Sequence, residues 1–71
     1  FINDFSENVL IKIIKANPNL LRVLDKNKKT DKIIRTALEN NGYSIQYVEN
    51  QTDEYKKIAL DNQPNAKKYF K

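Results

Sequence analysis

With no His and no Cys, the side chains of this 71-residue chain left for general acid–base chemistry are carboxylates, lysines and tyrosines. That composition removes imidazole bases, thiol nucleophiles, disulfide frameworks and Cys/His zinc spacings together. A general acid–base site would have to use Asp, Glu, Lys or Tyr. Asp53-Glu54 is an acidic pair, and Asp31 has no obvious partner nearby. Both Asp31 and Asp53 follow a Thr at the start of an apolar pattern with helical spacing. There an acid meets the positive end of the helix dipole. The competing uses are a two-carboxylate glycosidase site or an acidic metal site. Helix-start structure accounts for both residues, so no catalytic, cofactor-binding or metal-binding residue is assigned, and a non-enzyme without a small-molecule substrate is expected.

Net charge is +4, and all but two of the 13 cations are Lys, the others being Arg22 and Arg35. Lys26, Lys28, Lys29 and Lys32 form the densest basic cluster, with Lys56-Lys57 and Lys67-Lys68-Lys71 beyond it. Such clusters are either solvated faces or phosphate contacts. Acids at Asp25, Asp31 and Asp53-Glu54 interrupt the first two, and Arg would suit a dedicated phosphate site better than Lys. Tyr43, Tyr47, Tyr55 and Tyr69 are candidate stacking platforms for single-stranded nucleic acid. Tyr47, Tyr55 and Tyr69 fall in apolar columns, which favours interior packing. Tyr43 lies on a turn and is expected to be the best exposed aromatic.

The elements that position these groups follow a pattern. Pro18, Gly42 and Pro64 break the chain at intervals of 24 and 22 positions. Ser6, Thr30 and Thr52 each stand 12 positions before a breaker and are each followed by an acid. Ser and Thr at such places accept from orphan amides of a first helical turn. Apolar columns repeat with them: Val9, Ile33 and Tyr55; Ile13, Ala37 and Ala59; Ile14, Leu38 and Leu60. After the breakers come Leu20, Ser44 and Ala66; Val23, Tyr47 and Tyr69; Leu24, Val48 and Phe70. Fixed periods of this length signal helical solenoids. The expected fold is all-α, a stack of about three short helix-turn-helix repeats over 6–24, 30–48 and 52–70, an α-solenoid fragment in one domain.

Within it the spacing predicts long helices over 7–16, 31–40 and 53–62, capped by Ser6, Thr30 and Thr52. Short helices are expected over 20–24, from 43 or 44 to 48, and over 66–70, the first capped by Asn19, with 25–29 as a linker. Gly42 is expected as a left-handed C-cap. Proline cannot take positive φ, so the three turns are expected to differ. Residues 1–6 share the spacing of 47–52, and the chain lacks Met. It is therefore expected to open on the tail of a preceding unit, as a piece of something longer. Apolar surface is expected at both edges, with Tyr69-Phe70 lacking a polar cap.

Ala37-Leu38-Glu39-Asn40-Asn41-Gly42-Tyr43-Ser44-Ile45-Gln46-Tyr47-Val48, running on to Gln51-Thr52, resembles a family of short all-α repeats. Its pattern is A-L/V-x-x-N-G-x-x-L-Q-Y-V-x-x-Q-T, and it is abundant in large DNA viruses and present in phages and bacteria. The third unit keeps Ala59-Leu60-Asp61-Asn62 and Tyr69 but has Lys67-Lys68 in place of Leu-Gln. The first has Ile13-Ile14 for Ala-Leu and Val23 for Tyr. The resemblance implies stacked helical hairpins and carries no catalytic residues.

Arg22, Gln46 and Lys68 share a column of the short helices between two apolar columns, so they are expected to point to solvent as a ridge. Ridges of that kind form partner surfaces in solenoids. With Tyr43 they are the candidate protein-binding residues. The expected function is a protein-interaction or structural module of a larger viral or phage assembly. The alternative is a polyanion-binding module using Lys26, Lys28, Lys29 and Lys32. No apolar run spans a bilayer, so no membrane partner is expected. Absence of Cys fits a reducing compartment, and a cytoplasmic or virion-associated place is expected. Lys, Asn and Ile are residues of AT-rich codons, which points to viruses, phages or low-GC bacteria.

Overall fold

The computed structural model describes residues 2–71, so Phe1, and the expected upstream role of Phe1, lies outside the described residues. Three ten-residue α-helices form over the predicted spans: α1 Glu7–Ala16, α2 Asp31–Asn40 and α3 Asp53–Asn62. The Thr30 hydroxyl accepts from the Ile33 amide at 3.4 Å and the Thr52 hydroxyl from the Tyr55 amide at 3.2 Å. Ser6 takes the same extended backbone, φ −67° and ψ 162°, but its side chain makes no capping bond, contrary to expectation.

The remaining helical segments are 3₁₀: η1 Ile2–Asp4, η2 Pro18–Val23, η3 Lys26–Lys28, η4 Gly42–Tyr47 and η5 Pro64–Tyr69. The short helices therefore start at the breakers rather than beyond them, and Asn17, not Asn19, is the residue before η2. A proline at a first helical position has no amide that needs a partner. In 3₁₀ geometry residues three apart eclipse, and the buried pairs obey that spacing: Leu21 with Leu24, Ile45 with Val48. The 25–29 linker carries η3 instead of running without structure.

The turns into η2, η4 and η5 correct a further expectation. Asn17, Asn41 and Gln63 have φ/ψ of −144°/84°, −157°/101° and −139°/102°, so the three turns share one geometry. Each amide returns to the carbonyl four residues back, Ile13, Ala37 and Ala59, at 2.8–2.9 Å. Gly42 has no positive φ and is not a left-handed cap. Proline fits the same place because the φ required there is negative. What Gly42 supplies is space. A Cβ on it would fall inside 3.0 Å of the Ala59 carbonyl oxygen and 3.1 Å from Gln63 Cβ, across the contact with α3.

α2 lies between α1 and α3, and η4 lies between η2 and η5, so the long and the short helices make two layers. Leu10, Ile14, Ile33, Ala37, Leu38, Leu21 and Ile45 fill the space between them at 0–1% exposure. Full burial of a Leu or Ile side chain contributes about 1.5–3 kcal/mol. Ala37 and Ala59, both buried, let successive long helices approach closely. Val9 and Val23, expected in core columns, are each 41% exposed, while in the middle unit their counterparts are fully buried (Ile33) and half-buried (Tyr47). α1 has a long neighbour, α2, on one side only, whereas α2 lies between α1 and α3. At the other edge Lys56 and Lys67 stand where Ile34 and Ile45 are buried, and Lys56 Nζ lies 5.5 Å over the Phe70 ring. That edge has the polar cover the sequence reading denied it.

Candidate interaction surface

Three of the four candidate protein-binding residues, Tyr43, Gln46 and Lys68, come together. Tyr43 on η4 meets Tyr69 on η5 edge to face, centroids 5.8 Å apart at 85°. Lys68 Nζ sits 5.5 Å over the Tyr43 ring and 5.3 Å over Tyr69. Gln46 Nε2 donates to the Tyr43 carbonyl at 3.1 Å, so it is half-buried rather than turned wholly to solvent. Tyr43 is half-buried as well, and Phe5, at 44%, is the more exposed aromatic. The expectation of a freely exposed Tyr43 fails because Tyr69 covers one side of its ring. Arg22 is exposed on η2, the neighbour of η4.

The basic cluster divides. Lys26 pairs with Glu49 at 3.0 Å, and Lys29 Nζ donates to the Tyr47 carbonyl at 3.0 Å. The side chains of Lys28 and Lys32 are engaged with no other residue among those described. Lys26 holds the Glu49 carboxyl below its ordinary range, with Lys29 and Lys71 adding to the effect.

Asp31, read as unpartnered, is the centre of a cross-helix network. Its Oδ1 accepts from the Tyr55 hydroxyl at 2.7 Å and its Oδ2 from Arg35 Nε at 2.8 Å. Arg35 also pairs with Glu54 and lies 5.9 Å from the Tyr55 ring centroid. The Tyr55 bond, then Arg35, lowers the Asp31 pKa. Burial, then the bond to Asp31, pushes Tyr55 up to about 12. These carboxylates bond across the α2–α3 contact, and among the described residues no three acidic side chains gather as a metal site would need.

Further polar side chains, Asn62, Gln51 and Lys29 among them, join successive segments. Asn62 donates to the Glu39 carbonyl at 3.0 Å and accepts from the Gly42 amide at 2.7 Å. Gln51 Nε2 reaches the Ile45, Val48 and Tyr69 carbonyls at 2.9–3.2 Å, and its Oε1 accepts from the Lys71 amide at 2.9 Å. Lys29 does for Tyr47 what Gln51 does for Tyr69. Lys29 and Gln51 each directly precede the capping Thr, and that shared position was the available signal. A groove of about 520 Å³ opens beside Lys29, floored by Ile34 and Val48. No helix among the described residues is long and apolar enough to cross a membrane. No protein family, curated protein or solved structure matches the chain.

Proposed function

We propose that the chain is a non-catalytic helical-repeat module that binds a protein partner through the ridge of Arg22, Tyr43, Gln46 and Lys68, as part of a larger structural assembly. The observation that carries this reading is the Tyr43–Tyr69–Lys68 cluster. Tyrosines locked by packing lose little entropy on contact, and buried Tyr and Arg dominate protein-interface energetics. The shared turn angles and the recurrence of the Lys29 and Gln51 bonds support the repeat reading, and the resemblance noted above supports a viral or phage setting. Polyanion binding is the weaker reading, because Lys26 is paired with Glu49 and the acids Asp25 and Asp31 interrupt the lysine cluster.

The test is capture of a saturable protein partner by the wild-type chain, compared with a Tyr43→Ser, Lys68→Glu variant shown by circular dichroism to be folded. Loss of capture in the variant supports the ridge, and equal capture refutes it. Duplex DNA binding whose log K falls with log salt at about −0.9 per phosphate contact, and which is lost in a Lys28→Glu, Lys32→Glu variant, would establish the polyanion reading instead.

A further inference from the structure

Lys29 carries more than its structural task needs. Its Nζ bonds the Tyr47 carbonyl at 3.0 Å, and at the next junction Gln51, a neutral amide, does the same for Tyr69 at 3.2 Å. The bond needs a donor, not a charge. The charge at Lys29 borders the groove of about 520 Å³ between the loop after η2 and the loop after η4. The groove is closed below by the buried Ile34 and Val48, and the half-buried Tyr55 ring gives it an apolar wall. Its charged lining is two ammonium groups, Lys26 and Lys29, against one carboxylate, Glu49, which Lys26 engages at 3.0 Å. One positive charge is left over beside an apolar wall, with Asn50 and Thr52 as further polar groups on the rim. The volume lies within the range of small-ligand clefts.

We propose that this groove binds a short acidic–apolar peptide segment, its carboxylate on Lys29 and its neighbouring apolar side chain against the Tyr55 ring, above the buried Ile34 and Val48. The site stands apart from the ridge of Tyr43 and Lys68 and does not depend on it. An ammonium with one backbone partner keeps two donors for a second acceptor. A charge-assisted bond from it to a carboxylate is the stronger kind. The half-buried Tyr55 ring on the wall favours a ligand with an apolar group over a bare inorganic anion, which would leave that ring uncovered.

The experiment is an NMR titration of the full chain with acetyl-Leu-Glu-Leu-amide and, in parallel, acetyl-Leu-Gln-Leu-amide. The Glu peptide is expected to shift the amides of Ile34, Val48, Asn50 and Thr52, and to bind about tenfold more tightly than the Gln peptide. Lys29→Gln keeps a donor for Tyr47, as Gln51 does for Tyr69, and is expected to bind both peptides equally weakly. Lys57→Gln, on an exposed lysine away from the groove, is expected to behave as wild type. Equal affinity of the wild type for the two peptides overturns the proposal, as does a shift pattern centred on Tyr43 and Lys68, or no shift at millimolar peptide. A thymidine oligonucleotide that perturbs the groove amides more strongly than the Glu peptide overturns the choice of ligand. If Lys29→Gln fails to fold, the Glu-against-Gln comparison on wild type still decides. The Tyr43→Ser, Lys68→Glu variant is expected to leave the groove shifts unchanged, so failure here and failure of the ridge are read separately.

Discussion

Gly42→Ala separates two reasons for a glycine at one position. The new Cβ would fall inside 3.0 Å of the Ala59 carbonyl oxygen and 3.1 Å from Gln63 Cβ. The first obstacle is helix backbone, already bonded to the Gln63 amide at 2.8 Å, so it yields only if the end of α3 moves. Overpacking of this kind costs about 1–3 kcal/mol. Against it, Ala reduces the entropy of the unfolded chain and returns about 0.4–1 kcal/mol where the backbone angle is ordinary, as here. Because the obstacle is backbone rather than a flexible side chain, the cost falls in the upper part of that range, and a net loss of about 1–2.5 kcal/mol follows. A chain of this length has about 4–11 kcal/mol in all. The midpoint of a thermal melt followed by circular dichroism should then fall by about 5–15 °C. Gly42→Asn sharpens the comparison. Asn tolerates left-handed φ better than Ala, so a left-handed cap would make Asn the milder change. Close approach makes Asn at least as harmful, being larger. An unchanged or raised midpoint for Ala, or a milder effect of Asn, would refute close approach.

Leu38→Ala should cost about 2–5 kcal/mol, because Leu38 is fully buried on the central helix; urea denaturation measures it, and a midpoint within error of wild type removes Leu38 from the core. Thr52→Ala should cost about 0.5–1 kcal/mol through its lost cap, whereas Ser6→Ala, with no side-chain capping bond to lose, should leave the melt unchanged. Tyr55 keeps its proton in the folded state up to about 12, above the usual value near 10 for an unfolded tyrosine, so it adds stability that is complete below pH 10 and lost between pH 10 and 12. Tyr55→Phe should flatten that decline in melts across the alkaline range, and an unaltered slope would detach it from Tyr55.

The three long helices were legible to the residue because local signals agree there. Thr30-Asp31 and Thr52-Asp53 mark starts, and Asn41-Gly42 and Gln63-Pro64 mark stops. The short helices were less legible. A six-residue stretch such as 42–47 carries too few apolar positions to tell a 3.0 period from a 3.6 period. Gly42 misled because a glycine after a helix fits a left-handed cap and a close contact equally well, and the contact partner, Ala59, lies 17 positions away. The Asp31–Tyr55 bond and the groove were hidden for the same reason. Val9 and Val23 matched the columns, but a column records the equivalence of positions, not whether a neighbour covers them.

The side-chain hydrogen bonds between segments have a consequence for how the chain reaches this state. Asn3 to Asp25, Lys29 to Tyr47, Gln51 to Tyr69, Tyr55 to Asp31 and Asn62 to Glu39 span 18–24 residues. Each joins one segment to the next, and α1 and α3 are separated by α2. Closing such short loops is a matter of tens of nanoseconds to microseconds, and chains dominated by local contacts fold in microseconds to milliseconds. Folding here therefore needs no early meeting of the chain ends. α2, the one long helix among the described residues with a long neighbour on both sides, is the surface on which the flanking segments condense. A mutation in α2 should slow folding, while one at the outer face of α1 or α3 should mainly hasten unfolding.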